Sequence, residues 1–412
     1  MTTCRKGLIS ITLGLALSLI CPAADRSRAE ANAVTATPVY VAVNEDLGFP
    51  ALNTIAFYQA SGTQLTFQNS VSTSGHGIQG GFFGSAFVSS VPSITAPCIY
   101  VSDAGSNDVA SIALPSQQLV GTFSGSQNDN GSSNGIGLAV NSNYLYASFS
   151  SSQTIGTFSL REGCGLTFLG DVPAVGLQGG SVTGMAVNAN ILVVAYGDGS
   201  IQSFNVSGGL PVSNNDLQNS TAFTENGLSG AGTDLPAGVD ITQNGHYAIF
   251  GDVAPFVTLE VSDISSGKLA KTVVHQYGKL TGVDAGTVRL SPDQTLLYVT
   301  NNESGTVMAF FFYPSTGGLI KGCTSAPLQG FNGRPWYGSV VTRDTTGTGN
   351  VLYVAEFGRD QSEINHGPSS AIGILTVTSK GGSCTLTESS NSPVLLSFPG
   401  ALTLGAYPPR PF

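Results

Sequence analysis

Hydrophobic and polar positions alternate along this chain in short runs. Residues Leu290 to Leu319 show the pattern most clearly: an apolar stretch from Leu296 to Thr300, an Asn/Gly-rich break, a second apolar stretch from Thr306 to Tyr313, and another break at Ser315 to Gly318. Such runs, bounded by Gly, Asn and Ser, predict two strands joined by a tight turn. A lone hairpin is barely stable in water, so this one requires partners. Breaks recur about every ten residues, and beyond the first 25 residues no i, i+3, i+4, i+7 stripe is long enough for an extended helix. The pattern is that of an all-β chain.

The hairpin repeats. VYVAVN at 39, IYVSDAGSNDVASI at 99, LYASFSSSQTIGTF at 145, LVVAYGDGSIQSF at 192, AIFGDVAPFVTLEV at 248, LYVTNNESGTVMAF at 297 and LYVAEFGRD at 352 align on Tyr40, Tyr100, Tyr146, Val193, Ile249, Tyr298 and Tyr353, 46 to 60 residues apart. Six of these copies follow a small-residue segment: GSAFVSSVP at 84, GIGLAVNSN at 135, VTGMAVNAN at 182, AGVDITQNG at 237, GTVRLSPDQ at 286 and YGSVVTRDT at 337. The first copy has none, but GALTLGAYP at 400–408 has the same character. The arithmetic predicts a seven-bladed β-propeller with four antiparallel strands per blade, A to D from the axis outward. Its ring is closed by a C-terminal strand at about 400–408 joining the N-terminal strands of blade one. Glycines in the A segments suit strands crowded round an axis.

The N-terminus departs from the pattern. Arg5 and Lys6 precede an apolar run from Leu8 to Ile20, followed by Ala31-Asn32-Ala33. This is the layout of a secretory signal peptide. Residues 1–33 are expected to be that peptide and residues 34–412 a single propeller domain without a membrane span, exported to the periplasm or secreted, and monomeric. Rival readings are an uncleaved anchor and a lipoprotein attached at Cys21, against which the bulky Ile20 argues. A formal charge of −10 excludes nucleic acid and anionic membrane surfaces as partners.

Outside the leader the cysteines are Cys98, Cys164, Cys323 and Cys384, the last three in equivalent places after strand C of their blades. Packed sheets lie about 10 Å apart, whereas a disulfide needs Cα atoms within about 7 Å. At least two free thiols are therefore expected.

Function on a propeller is usually grafted onto loops. The D-to-A and B-to-C connections share one face, around the channel mouth. At the start of the B-to-C loops the aligned residues are Val43, Asp103, Phe149, Tyr196, Asp252, Asn301 and Glu356. Three carboxylates and an amide on one rim suit ligand binding or acid-base work; the competing use is capping of their own turns. Two blade-seven loops interrupt the repeat. GFNGRPWYGS (330–339) holds Arg334, a fork for carboxylate or phosphate, and Trp336, a stacking surface. EFGRDQSEINHGPSS (356–370) holds Glu356, Arg359 and His366. Glu356, His366 and Arg334 are the candidate catalytic residues. Trp336, Arg359, His76, Asp103, Asp252, Asn301 and Asp234 are candidate ligand contacts. No H-E-x-x-H, Walker A, complete EF-hand loop or C-x-x-C-H is present, and no metal or cofactor is expected.

Tyr298-Val299-Thr300-Asn301, preceded by Ser291-Pro292-Asp293 and followed by Ser304-Gly305-Thr306-Val307, resembles the YVTN β-propeller repeat. The chain is also similar to the bacterial seven-bladed lactonase-like proteins of the 6-phosphogluconolactonase type. That resemblance implies a site near the axis on one face, using His, Arg and Glu around a sugar lactone or related acid. The Pro-His-Pro-His stretch of those enzymes is absent, so no catalytic residue carries over by position. The expectation is a lactonase-like scaffold that binds a small polar ligand, a glycan or a protein at the channel mouth; the alternative is a lactonase or related hydrolase.

Overall fold

The computed structural model describes residues 39–78, 88–92, 97–125, 135–220, 235–253, 258–276, 285–301, 304–329, 340–342, 351–357, 370–397 and 404–407. They form seven antiparallel sheets in chain order, a seven-bladed propeller. Blade one takes strands B, C and D from Val39–Asn44, Thr54–Ser61 and Gln64–Ser72, and its innermost strand, Leu404–Tyr407, from the far end of the chain. Val41 pairs with Ala406 and Ala42 with Gly405, as the missing small-residue segment predicts. Blade two is Val88–Pro92, Pro97–Asp103, Asp108–Ala113 and Gln118–Ser124; blade six is Ala285–Leu290, Leu296–Asn301, Thr306–Tyr313 and Gly318–Thr324. In blade seven Val340–Thr342, Val351–Phe357, Ser370–Lys380 and Ser383–Glu388 are A to D, and Val394–Leu396 adds a fifth strand. The A strands touch in ring order. Val340–Thr342 meets both Ala285–Leu290 and Leu404–Tyr407, which closes the circle. Crowding there is backbone against backbone: a Cβ on Gly238 would lie 2.8 Å from the Val288 nitrogen of the next blade.

The apolar side chains gather in clusters between blades. Leu297, Val299 and Phe310 pack on Ile249, Leu259 and Val261 of blade five, while Tyr298 and Ala309 face Leu352, Val354 and Leu375 of blade seven. The hairpin at 296–313 is thus buried on both faces. This is why its strands read as nearly continuous apolar runs rather than strict alternation.

Two of the repeat tyrosines join blades through their hydroxyls. Tyr146 Oη donates to the Gly209 carbonyl at 3.1 Å, in the C-to-D connection of blade four, and Tyr353 Oη donates to the Gly62 carbonyl of blade one at 2.8 Å. Tyr353→Phe deletes one hydrogen bond and leaves the ring, so it should lower the unfolding free energy by about 1 kcal/mol in urea titration. The outer strands carry a repeated irregularity as well. Gln68, Val120, Leu169 and Gly322 are each an unpaired residue in strand D of blades one, two, three and six. Bulges of this kind twist an exposed edge away from pairing with other chains.

The cysteines overturn the expectation of free thiols. Cys98 bonds Cys164 and Cys323 bonds Cys384, with Cα separations of 5.5 and 5.6 Å. The mean spacing of sheets did not decide the matter; local departures from it did. Cys164 lies in a 3-10 turn, Glu162–Cys164, where Gly163 and Cys164 both have φ of 70°. The turn leans on blade two, where Ser111 Oγ donates to the Cys164 carbonyl. Cys323 follows the bulged Gly322, and a Cβ on that glycine would lie 2.8 Å from Cys384 Sγ. A bare backbone at the bulge lets the outer strands of blades six and seven meet.

Candidate functional site

The residues aligned at the end of strand B form a column with a common orientation. Val43, Phe149 and Tyr196 each sit in the apolar cluster shared with the preceding blade. Asp103, Asp252, Asn301 and Glu356 occupy the equivalent strand position, and at 0, 1, 4 and 3% exposed they fill the same seams with polar groups. They stand at one level of their blades.

The seam between blades one and two is the richest. The Asn53 side-chain amide donates to Asn44 Oδ1 at 2.9 Å and to Asp103 Oδ1 at 2.6 Å, and Thr73 Oγ1 donates to the same Asp103 oxygen at 3.0 Å. Asn44 Nδ2 reaches the Ser102 carbonyl at 3.1 Å. Asp103 pairs across the hairpin with Asp108, and neither Asp103 Oδ2 nor Asp108 Oδ1 receives an N–H or hydroxyl donor. The two buried carboxyls therefore face each other across the hairpin, and the charge on one disfavours charge on the other. Burial pushes Asp103 up to about 8, against the Asn53 hydrogen bond and with the Asp108 charge adding to the rise. Burial raises Asp108 as well.

His76, in the connection from blade one to blade two, closes this seam from above. Its N–H donates to Ser106 Oγ at 2.8 Å and its carbonyl accepts from Gly105 at 2.7 Å and Ser106 at 3.2 Å. Ring Nδ1 lies 2.7 Å from the Ala51 carbonyl. A carbonyl only accepts, so Nδ1 carries the proton.

Glu356 is the second notable carboxyl. Both its oxygens are buried without a hydrogen-bond partner among the described residues. Burial pushes it up to about 8, and the charge of Glu388 adds to the rise. At neutral pH it is largely a carboxylic acid, able to donate to a carbonyl or hydroxyl and to act as a general acid, but a poor base. Its carboxyl and the Leu328 side chain both crowd the space over Gly373. Gln329, the next residue, donates its N–H to the Glu388 carboxylate at 3.0 Å.

Arg334, Trp336, Arg359, His366 and Asp234 lie outside the described residues. Of the remaining candidates, Asp103 and His76 share one seam and Glu356 lies in another; Asp252 and Asn301 are buried at the equivalent strand position of blades five and six. No trio of His, Cys, Asp or Glu among the described residues could hold a metal ion. The sequence reading missed Asn53 and Asp108, which complete the Asp103 network. Their signal was weak: Asp108 is set by its register opposite Asp103, and Asn53 by a loop that breaks the repeat. That loop also holds Asp46-Leu47-Gly48. Here Asp46 Oδ1 accepts the Ile78 N–H at 3.0 Å, which makes it a brace of the turn.

No family model and no curated protein matches the chain. Solved structures do. A putative 6-phosphogluconolactonase from Bacteroides fragilis is 14% identical with a TM-score of 0.62, over 90% of this chain and 99% of its own. The periplasmic gluconolactonase of Pseudomonas aeruginosa is 13% identical with a TM-score of 0.65, over 90% and 99%. A functionally unknown protein from Desulfotomaculum acetoxidans is 12% identical with a TM-score of 0.59, over 85% and 99%. At such identities the likeness is one of fold: this chain has the seven-bladed architecture of lactonase-like propellers.

Proposed function

We propose that this chain is an exported lactonase-like propeller that binds a small polar ligand at the blade-seven seam, with Glu356 as a proton-donating contact. The observation that carries this reading is the Glu356 carboxyl, 3% exposed and without a hydrogen-bond partner among the described residues. A buried polar group left unpaired costs about 1–3 kcal/mol, and a ligand carbonyl or hydroxyl would recover that. The segment carrying Arg359 and His366 begins beside it in sequence. Two disulfides support an oxidising compartment, periplasmic or extracellular.

The fold likeness to a periplasmic gluconolactonase favours a second reading, hydrolysis of a sugar-derived lactone. In it Glu356 protonates the departing ring oxygen as water adds to the carbonyl carbon.

Calorimetric titration with glucono-1,5-lactone and gluconate, alongside a lactone-hydrolysis assay, tests both. Binding by the wild type should weaken about tenfold in Glu356→Leu, which cannot hydrogen-bond, the worth of one hydrogen bond to a polar group. Wild-type hydrolysis no faster than buffer supports a binding role. Acceleration that disappears in Arg334→Ala/Glu356→Ala establishes the lactonase. Unchanged binding in both variants removes these residues from the site.

A further inference from the structure

The B-to-C loop of blade one presents Phe49, Pro50, Ala51 and Leu52 exposed in a row. Phe49 is 82% and Leu52 48% accessible. Four consecutive apolar residues in water mark a contact surface in a natural protein. The loop is held in place. Leu47 N–H donates to Asn53 Oδ1 at 2.9 Å, Gly77 N–H to the Leu47 carbonyl at 2.6 Å and Ala51 N–H to the Gly48 carbonyl at 3.0 Å. Gly48 and Gly77 form a β-bridge beneath the tip. The apolar residues therefore stand on a rigid base, so little ordering entropy is lost when something binds.

A polar group lies beside them. The Phe49 and His76 rings meet edge to face, with centroids 5.8 Å apart and planes at 64°. Because Nδ1 donates to the Ala51 carbonyl, Nε2 of the neutral ring is left as an acceptor, and it makes no hydrogen bond among the described residues. The site combines an exposed aromatic ring, a flanking aliphatic side chain and one fixed acceptor.

We propose that Phe49, Leu52 and His76 form a binding site for an uncharged carbohydrate, a pyranose stacking its C–H face on Phe49 while one hydroxyl donates to His76 Nε2. A purely apolar occupant would cover Nε2 without supplying a donor, at the cost of an unpaired acceptor. An anionic polymer or lipid surface is disfavoured by the formal charge of −10. A sugar ring supplies both the apolar face and the donor. None of these residues belongs to the Glu356 seam, so either site can fail without the other.

The test is native affinity electrophoresis in gels containing hydroxyethylcellulose, laminarin, xyloglucan or galactomannan. At least one polymer should retard the wild type and Glu356→Gln alike. Phe49→Ala should raise the half-retarding concentration about tenfold, from loss of the stacking surface. His76→Phe keeps a ring but removes the acceptor and should raise it roughly threefold to tenfold. An unchanged melting temperature checks that Phe49→Ala is folded, as expected at so exposed a position. Retardation by none of the four polymers, or retardation that survives Phe49→Ala, overturns the proposal. So does a Phe49-dependent co-sedimentation with phosphatidylcholine vesicles, or a Phe49-dependent self-association in sedimentation velocity, without polymer binding; these would assign the tip to lipid or to a second copy of the chain.

Discussion

Replacing Cys323 and Cys384 together by alanine should lower the unfolding free energy by about 4 kcal/mol, the chain-entropy value for a closed loop of this size. The bond spans 61 residues and ties the outer strands of blades six and seven. Without it, the outer edge of blade seven is held to blade six through the apolar cluster around Leu328, Leu352 and Leu375. The bond between Cys98 and Cys164 spans 66 residues and ties strand B of blade two to the C-to-D turn of blade three. Urea titration of residues 34–412 measures the loss. Thiol titration under native, non-reducing conditions should find none of the four cysteines reactive. Two free thiols would contradict one pairing and four would contradict both; either result would restore the expectation drawn from sheet spacing.

Stability should fall as pH rises from about 4 to 8, the reverse of what ion-paired carboxylates produce. Asp103 and Glu356 are each raised to about 8 by burial, whereas in the unfolded chain they titrate near 4. Between those values the folded state holds protons that unfolding releases. Their contribution is complete below the unfolded pKa and is lost as pH climbs through the folded one, at up to roughly 1.4 kcal/mol per pH unit for each group. Asp198 behaves oppositely. Burial works against its charge, but donors from Ser200, Gln178 and Gly180 outweigh it and hold the group below its ordinary value, so its contribution disappears in acid. Urea titrations at pH 5, 6, 7 and 8 measure the decline. In Glu356→Gln the decline should be shallower by about one proton, because the amide keeps the size of the side chain and has nothing to lose. An equal slope in both proteins would show that Glu356 is ionised throughout.

These groups also mark where reading the chain by itself stopped. The alignment put Asp103, Asp252, Asn301 and Glu356 at one level, since a repeat conserves strand position. It could not say whether they meet. A strand turns successive side chains to opposite faces, and in a propeller both faces of a middle strand are seams. Asp103 and Glu356, on the same level, therefore enter different clefts. Asp108 and Asn53 join Asp103 through register and through a loop that departs from the repeat, and neither carries a motif. The cysteines are a similar case: equivalent places in a repeat suggested a fixed separation, but a single unpaired glycine and one left-handed turn removed it.

The amino-acid sequence by itself determined the architecture. Seven hairpins, six inner segments and a seventh at 400–408 leave one closed arrangement, because each blade is apolar on both faces and only a ring supplies every face with a partner. Tertiary structure alone decided which polar groups are buried, which cysteines touch and which apolar residues remain in water. Periodicity records the average spacing of strands and sheets; these outcomes depend on ångström-scale departures from that average, at bulges, turns and the one loop that does not repeat.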